Sequence, residues 1–197
     1  FGFRWPTATL SVDAILFARK VLSGGLDFWL ENSNYNIRVV CCQGIHDRTT
    51  EKRRVSTYAE NSFAWLLYNV LANQYEKNPR VQFKLTKAYL NYVDVYGMKI
   101  RAHHGDNVQY SGGIGGLTIP LNKAIAGWNK ATRADLDVLG HYHQLMDGGN
   151  FIVNGSMIGY NAFAESIKAS PEPPQQAFFL LNKSRNRKTV HAPIFVD

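Results

Sequence analysis

The sequence predicts an α/β fold with a mixed sheet or two packed sheets. Helical patterns alternate with short buried-strand patterns in the first half of the chain, and strand patterns dominate the second half. The length of 197 residues and the hydrophobic fraction of 45% suffice for one well-packed core. We therefore predict a single domain that spans residues 1–197.

Helices are predicted where apolar residues recur at intervals of three and four positions. The predicted helices are residues 11–30, 58–75 and 117–132. Ser11, followed by Asp13, provides an N-terminal cap for the first of them. The third follows the glycine-rich stretch 111–116, which no Lys-Ser or Lys-Thr follows. This stretch is therefore not a nucleotide-binding P-loop, and we expect a mobile loop.

Strands are predicted where short segments are rich in β-branched and other apolar residues. The predicted strands are residues 36–42, 81–85, 88–95, 98–103, 136–139, 151–154, 177–181 and 189–196. The first ends at Gly44, as a buried strand of an α/β sheet does, and a polar, basic loop follows it. The basic cluster 183–188 lies between the last two strands, so we expect an exposed hairpin tip.

The charge balance favours a partner that carries phosphates. The chain has 22 Lys+Arg and 15 Asp+Glu, a net charge of +7. Such an excess favours DNA or RNA as a candidate partner, and the alternative is a basic domain without a nucleic-acid partner. Within the basic loop, Arg48, Lys52 and Arg53 are candidates for binding phosphates of the substrate. The alternative for these residues is a solvated loop without a ligand.

The cysteines and the hydropathy pattern predict a cytoplasmic protein. Cys41 and Cys42 are adjacent in a predicted strand, where neighbouring side chains point to opposite faces. They cannot close a structural disulfide loop, and free thiols suit a reducing compartment. No apolar segment approaches the roughly 20 residues that span a bilayer, so we expect no membrane association. The abrupt start at Phe1, without Met, indicates a piece of a longer chain.

Histidines lie just beyond the ends of several predicted strands. Open α/β sheets bind ligands at the carboxyl ends of their strands. A single histidine in such a place is more often structural, but four recur here: His46, His104, His141 and His143. In an extended segment, His141 and His143 lie two residues apart and can converge on a metal. Of the pair 103–104, the following glycine favours His104, and we expect His103 to be packed or on the surface.

The order of these strand ends carries a family resemblance. Gly44-Ile45-His46-Asp47, then His104-Gly105, Gly140-His141-Tyr142-His143 and Asn154-Gly155-Ser156 resemble the second half of the calcineurin-like metallophosphoesterases. The resemblance covers about residues 36–160. The wider sequence, including the glycine loop, is similar to a phage- and prophage-encoded, nuclease-like branch. The resemblance implies a β-sandwich of mixed sheets flanked by helices, N-terminally incomplete in this chain.

The resemblance also implies roles for individual residues. His104 and His141 would be ligands of one metal ion, and His143 would be a ligand of the other. His46 would donate a proton to the leaving group, and Asp47 would orient its ring. Two divalent ions in the complete enzyme, manganese, zinc or iron, would generate a hydroxide and hold the phosphate. The expected reaction is hydrolysis of phosphate esters, in particular phosphodiesters of nucleic acid.

Three departures from the family concern its metal ligands. The chain contains neither the Asp-x-His strand end nor the Gly-Asp-x-x-Asp element of the family. Truncation would explain these two absences. It does not explain Ile45, which stands where the family has a metal-ligating Asn. We therefore expect weak metal binding and little hydrolysis, and the alternative function is a non-catalytic nucleic-acid-binding or structural module that retains the fold.

Overall fold

A computed structural model describes residues 11–110, 116–166 and 169–196. The chain forms two compact units, residues 1–87 and 88–197. The predicted α/β class, with a mixed sheet and helices, is confirmed. That both units form a single domain stays a prediction. The glycine loop 111–115 lies outside the described residues.

The first unit contains two helices and a small parallel sheet. Its elements are α1 (Ser11–Asn32), β1 (Ile37–Val40), α2 (Phe63–Gln74) and β2 (Val81–Lys84). Strands β1 and β2 pair in parallel, with Ile37 opposite Val81. The helices pack through a core centred on Leu71 and Tyr75, against which Leu26 of α1 is packed. Both cysteines are free thiols, and Cys41 is buried.

Helix α2 begins later than the sequence predicts. The expected start was residue 58, but a 3-10 turn, Ala59–Asn61, precedes the helix. Ser62 then adopts an extended conformation, and its hydroxyl accepts a hydrogen bond from the backbone N–H of Trp65 at 3.0 Å. Ser62 is therefore the N-cap, and the residues before it belong to the preceding turn.

The second unit is built on a five-stranded mixed sheet. Its strands are β3 (Asn91–Val95), β4 (Met98–Ala102), β5 (Leu136–Leu139), β6 (Met146–Asp147) and β7 (Phe151–Val153). Their order is β3-β4-β5-β7-β6, and β4, β5 and β7 run parallel. The carboxyl ends of these three central strands therefore lie at the same edge of the sheet. The outer strands β3 and β6 are antiparallel to their neighbours.

Helices and a hairpin complete the second unit. They are α3 (Thr118–Trp128), α4 (Ala162–Ser166), β8 (Gln175–Asn182) and β9 (Arg187–Phe195). Helix α3 buries Leu121 and Ile125 against Phe151 and Val153 of the sheet. Strands β8 and β9 pair as an antiparallel hairpin whose turn is residues 183–186, so the predicted hairpin is confirmed, but Arg187 and Lys188 belong to β9. Within the described ranges, no helix has the length and apolarity to cross a membrane.

Two short elements were not predicted. Strand β6 has two residues and α4 has five, which is too short for a helical or alternating pattern to be recognised. Gly148 follows β6 directly. Its backbone N–H donates to the carbonyl of Phe151 in β7 at 3.0 Å. Apart from the start of α2, the predicted helix and strand boundaries lie within four residues of the observed ones.

Candidate metal site at the ends of the parallel strands

The candidate site lies beyond the carboxyl ends of β4 and β5. The pairing of the two strands places Ala102 opposite Val138. It continues past the strands, because the N–H of His103 donates to Val138 O at 3.1 Å and the N–H of Gly140 donates to His104 O at 3.1 Å. These hydrogen bonds align the two loops side by side.

His104 and His141 are brought together by this alignment. Their ring centroids are 5.0 Å apart, and the ring planes are inclined at 67°. Both residues are partly buried, and Nε2 of His104 is inaccessible to solvent. The prediction that these two histidines meet at one end of the sheet thus agrees with the geometry. Their roles as metal ligands stay predictions.

Gly105 permits the close approach of the two loops. Its φ of +115° lies in the region that side chains rarely adopt. A Cβ at this position would lie 3.1 Å from the carbonyl oxygen of Gly140 and 3.1 Å from Cβ of His141. Any larger residue would therefore push the strand-end loop of β4 away from His141.

The backbone around His141 and His143 is unusual. Both residues adopt positive φ, +71° and +56°. Such conformations are uncommon for residues with a Cβ and often occur at functional sites. Convergence of these two side chains was predicted for an extended segment. The segment bends instead, and its left-handed residues were not foreseeable from strand alternation.

His103 is packed, as the sequence analysis expected. Its side chain is fully buried, with Nε2 3.5 Å from Oδ1 of Asp137. Its ring meets Trp128 edge to face at a centroid distance of 4.8 Å. Asp137 also pairs with Arg101, which donates from Nε at 2.6 Å and from Nη2 at 2.9 Å. This buried pair joins β4 to β5 directly below the candidate site.

Asn154 follows β7, but its side chain is engaged in structural hydrogen bonds. Its amide nitrogen donates to Oε1 of Gln176 at 2.7 Å. Its amide oxygen accepts from the N–H of Ala177 at 2.7 Å. The residue therefore attaches the end of β7 to strand β8.

Tyr89 and Tyr142 also contact the strand-end loop, and the sequence analysis did not identify either one. Their hydroxyls form hydrogen bonds with the backbone of Gly105, the residue that follows His104. Burial, together with the charge of Asp106, raises the pKa of Tyr142 to about 12. Burial is also the main cause that raises the pKa of Tyr89 well above its usual range. The only sequence feature that pointed to either tyrosine was the position of Tyr142 directly after the candidate ligand His141.

The candidate catalytic residues His46 and Asp47 lie in the first unit, just after β1. His46 is exposed. The carboxylate of Asp47 accepts hydrogen bonds from the hydroxyl of Ser62 and, at 3.1 Å, from the N–H of Ala64. Asp47 thus serves the N-terminus of α2. A further role in orienting His46 stays a prediction.

The three candidate phosphate-binding residues differ in their surroundings. The guanidinium of Arg48 donates to the carbonyls of Ile45 and Glu51 within its own loop. Arg53 lies over the ring of Tyr58 at 5.7 Å. Arg48 and Lys52 are exposed, whereas Arg53 is half-buried and its Nε is inaccessible to solvent.

Two facing imidazoles provide part of the donor set that a divalent metal requires. Neutral imidazole nitrogens suit zinc or iron better than manganese, which prefers oxygen ligands. Throughout the part of the chain that the structure describes, no three or more His, Cys, Asp or Glu side chains form a cluster that could hold a metal ion. The histidine pair can therefore supply two nitrogen ligands, and binding of any ion, as well as the two-ion centre expected of the complete enzyme, stays a prediction.

Comparisons with known proteins give structural similarity only. The chain matches no protein-family model and no curated protein. Among solved structures, a double mutant of Vps29 from Entamoeba histolytica is similar at 14% identity, a TM-score of 0.42 and coverage of 86% of this chain and 89% of that one. Wild-type Vps29 from the same organism, complexed with zinc, has 16% identity, a TM-score of 0.37 and coverage of 64% and 74%. A novel archaeal phosphodiesterase has 15% identity, a TM-score of 0.34 and coverage of 83% and 72%. At these low scores, no function is transferred.

Proposed function

We propose that the chain is the metal-binding part of a metal-dependent phosphoesterase of the calcineurin-like type, with phosphodiesters of nucleic acid as substrates. The observation that carries this proposal is the pair of facing imidazoles, His104 and His141, with ring centroids 5.0 Å apart. They come from adjacent parallel strands, where α/β proteins bind ligands. The two cysteines, both free, support a reducing compartment such as the cytoplasm.

The candidate site residues then have the following roles. His104 and His141 would hold one divalent cation through neutral ring nitrogens, and His143 would be a ligand of the second cation of the complete enzyme. When bound, such a cation stabilises negative charge on a phosphoryl oxygen and lowers the pKa of a bound water. His46, exposed in its loop, donates a proton to the leaving group.

Nucleic acid is the proposed substrate class because of the charge distribution. The chain carries a net charge of +7, and Lys52 lies exposed in the loop that follows His46. Arg53 lies beside Tyr58, so its charge and the ring form one surface that can contact a phosphate and a base. Binding through such residues weakens as salt rises.

A non-catalytic module is the second candidate. It is favoured by the lack of any three-residue metal cluster among residues 11–110, 116–166 and 169–196. Ile45 favours it as well, since an isoleucine side chain cannot ligate a metal. In this case the chain retains the fold and binds nucleic acid without hydrolysing it.

Hydrolysis in the presence of manganese separates the two candidates. We expect slow hydrolysis of bis(p-nitrophenyl) phosphate by the unmodified chain and a faster rate after Ile45→Asn, which restores the family's residue. His141→Ala should remove the activity in both backgrounds, and His191→Ala should leave it unchanged. A rate that His141→Ala does not lower contradicts the enzymatic proposal. Salt-dependent binding of single-stranded DNA without hydrolysis supports the non-catalytic module.

A further inference from the structure

We infer that Tyr89 and Tyr142 are positioning residues that hold His104 opposite His141; this inference rests on the proposed function. Neither tyrosine is among the residues that the family resemblance assigns to the site. Both act on one short segment, residues 105–108, that begins directly after His104. The position of His104 depends on this segment because the residue has left strand β4.

The hydroxyl of Tyr142 contacts two backbone carbonyl groups of the segment. Its hydroxyl lies 3.0 Å from the carbonyl oxygen of Gly105 and also within hydrogen-bonding distance of the carbonyl oxygen of Val108. The single phenol proton is donated to one of these oxygens or shared between them. The ring of Tyr142 packs against the core cluster that contains Val108 and Leu139. The hydroxyl therefore connects a fixed ring to the loop after His104.

The hydroxyl of Tyr89 contacts two backbone N–H groups of the same segment. Its hydroxyl oxygen accepts from the N–H of Gly105 at 3.1 Å and from the N–H of Asn107 at 3.2 Å. The hydroxyl proton of Tyr89 can be donated to Asp106, with which the hydroxyl forms a side-chain hydrogen bond. The ring of Tyr89 lies 5.8 Å from the buried ring of His103. Tyr89 is therefore anchored as well.

Together the hydroxyls bind both the donors and the acceptors of one turn. The turn itself contributes one hydrogen bond, from the N–H of Val108 to the carbonyl of Gly105 at 2.9 Å. Gly105, with its positive φ, cannot restrict the backbone by sterics. The tyrosines supply that restriction from outside. Tyr142 acts as the donor to the carbonyl groups of the turn, and Tyr89 accepts from its N–H groups.

Outer-shell groups that orient metal ligands change metal affinity when they are removed. Loss of such a partner typically costs about 10–100-fold in affinity. Replacing either tyrosine with Phe removes only the hydroxyl and keeps the ring in place. Tyr89→Phe and Tyr142→Phe should therefore each weaken binding of cobalt by about 10-fold or more. The visible absorption of bound cobalt should also change, because it reports ligand geometry.

The experiment titrates the full chain and its variants with cobalt chloride. Amide hydrogen exchange is measured in parallel without metal, and Tyr89→Phe should accelerate exchange at Gly105 and Asn107. Tyr110→Phe is the matched control, because Tyr110 is an exposed tyrosine of the same unit. Val93→Ala, in the core of β3, controls for a general loss of stability.

The outcomes separate this inference from the proposed function. Weaker cobalt binding by both Phe variants, with Val93→Ala and Tyr110→Phe unchanged, supports the positioning role. Wild-type affinity and spectrum in Tyr89→Phe and Tyr142→Phe overturn it, while the proposed metal site stands if His141→Ala abolishes binding. An unmodified chain that binds no cobalt overturns the proposed site and this inference together. Affinity losses equal to that of Val93→Ala overturn the positioning role.

Discussion

At the scale of single residues, the contact between two strand-end loops depends on the absence of a side chain at position 105. The Gly105 Cα approaches Gly140 and His141 so closely that a Cβ would lie 3.1 Å from atoms of both. The positive φ adds a second reason why only glycine suits the position. Stability and site geometry therefore depend on the same residue.

Gly105→Ala should lower the free energy of unfolding by about 1–3 kcal/mol, the usual cost of a strained backbone conformation. It should also weaken metal binding, because His104 moves away from His141. Urea denaturation measures the first effect and metal titration the second.

Gly149→Ala is the control for this substitution. Gly149 also has a positive φ, +85°, but a Cβ there would meet nothing within 4 Å. It should cost stability without affecting metal binding. Equal metal affinities for Gly105→Ala and the unmodified chain would show that the close approach of the loops is irrelevant to the site.

The sequence was informative about which residues meet, and less so about how they meet. The sequence placed His104 and His141 each just beyond a predicted strand, where open α/β sheets bind ligands, and the family resemblance implied that both serve one metal ion. The left-handed backbone at His141 and His143 did not follow, because it depends on tertiary hydrogen bonds of the loop. Tyr142 shows the same limit: its partners Gly105 and Val108 are distant in sequence.

At the scale of elements, the loop after β1 is fastened to the start of α2. Asp47 accepts hydrogen bonds from the hydroxyl of Ser62 and the N–H of Ala64. The N–H of Phe63 donates to the carbonyl of Asp47 at 2.9 Å. Asp47 thus satisfies N–H groups that a helix start leaves without partners in the helix.

Asp47→Ala should lower the free energy of unfolding by about 1 kcal/mol, as the loss of a capping group does. Ser62→Ala should have a similar effect. The double variant should cost less than the sum, because both side chains share one network. Unfolding in urea, monitored by circular dichroism, measures all three.

An unchanged stability of Asp47→Ala would contradict the capping role and leave the predicted catalytic role as the reason for this residue. The cap at Ser62 was not predicted from the sequence. The predicted start at residue 58 was wrong because Ala59–Asn61 form a 3-10 turn, and the periodic apolar residues begin only at Phe63. Periodicity does not distinguish a 3-10 turn from the first turn of an α-helix.

At the scale of the whole molecule, alternating patterns predicted the α/β class, and the mixed order β3-β4-β5-β7-β6 confirms it. The order itself was not predictable, since short buried strands carry no information about their neighbours. This order makes β4, β5 and β7 parallel neighbours, which is what gathers the candidate residues of the second unit at one edge.

The central claim is that this edge binds a divalent cation through His104 and His141. Isothermal titration of the full chain with manganese or zinc tests it most directly. We expect one ion per chain, bound weakly, with affinity lost in His104→Ala and in His141→Ala and retained in His191→Ala. Binding that both substitutions leave unchanged, or no binding by the unmodified chain, would contradict the claim.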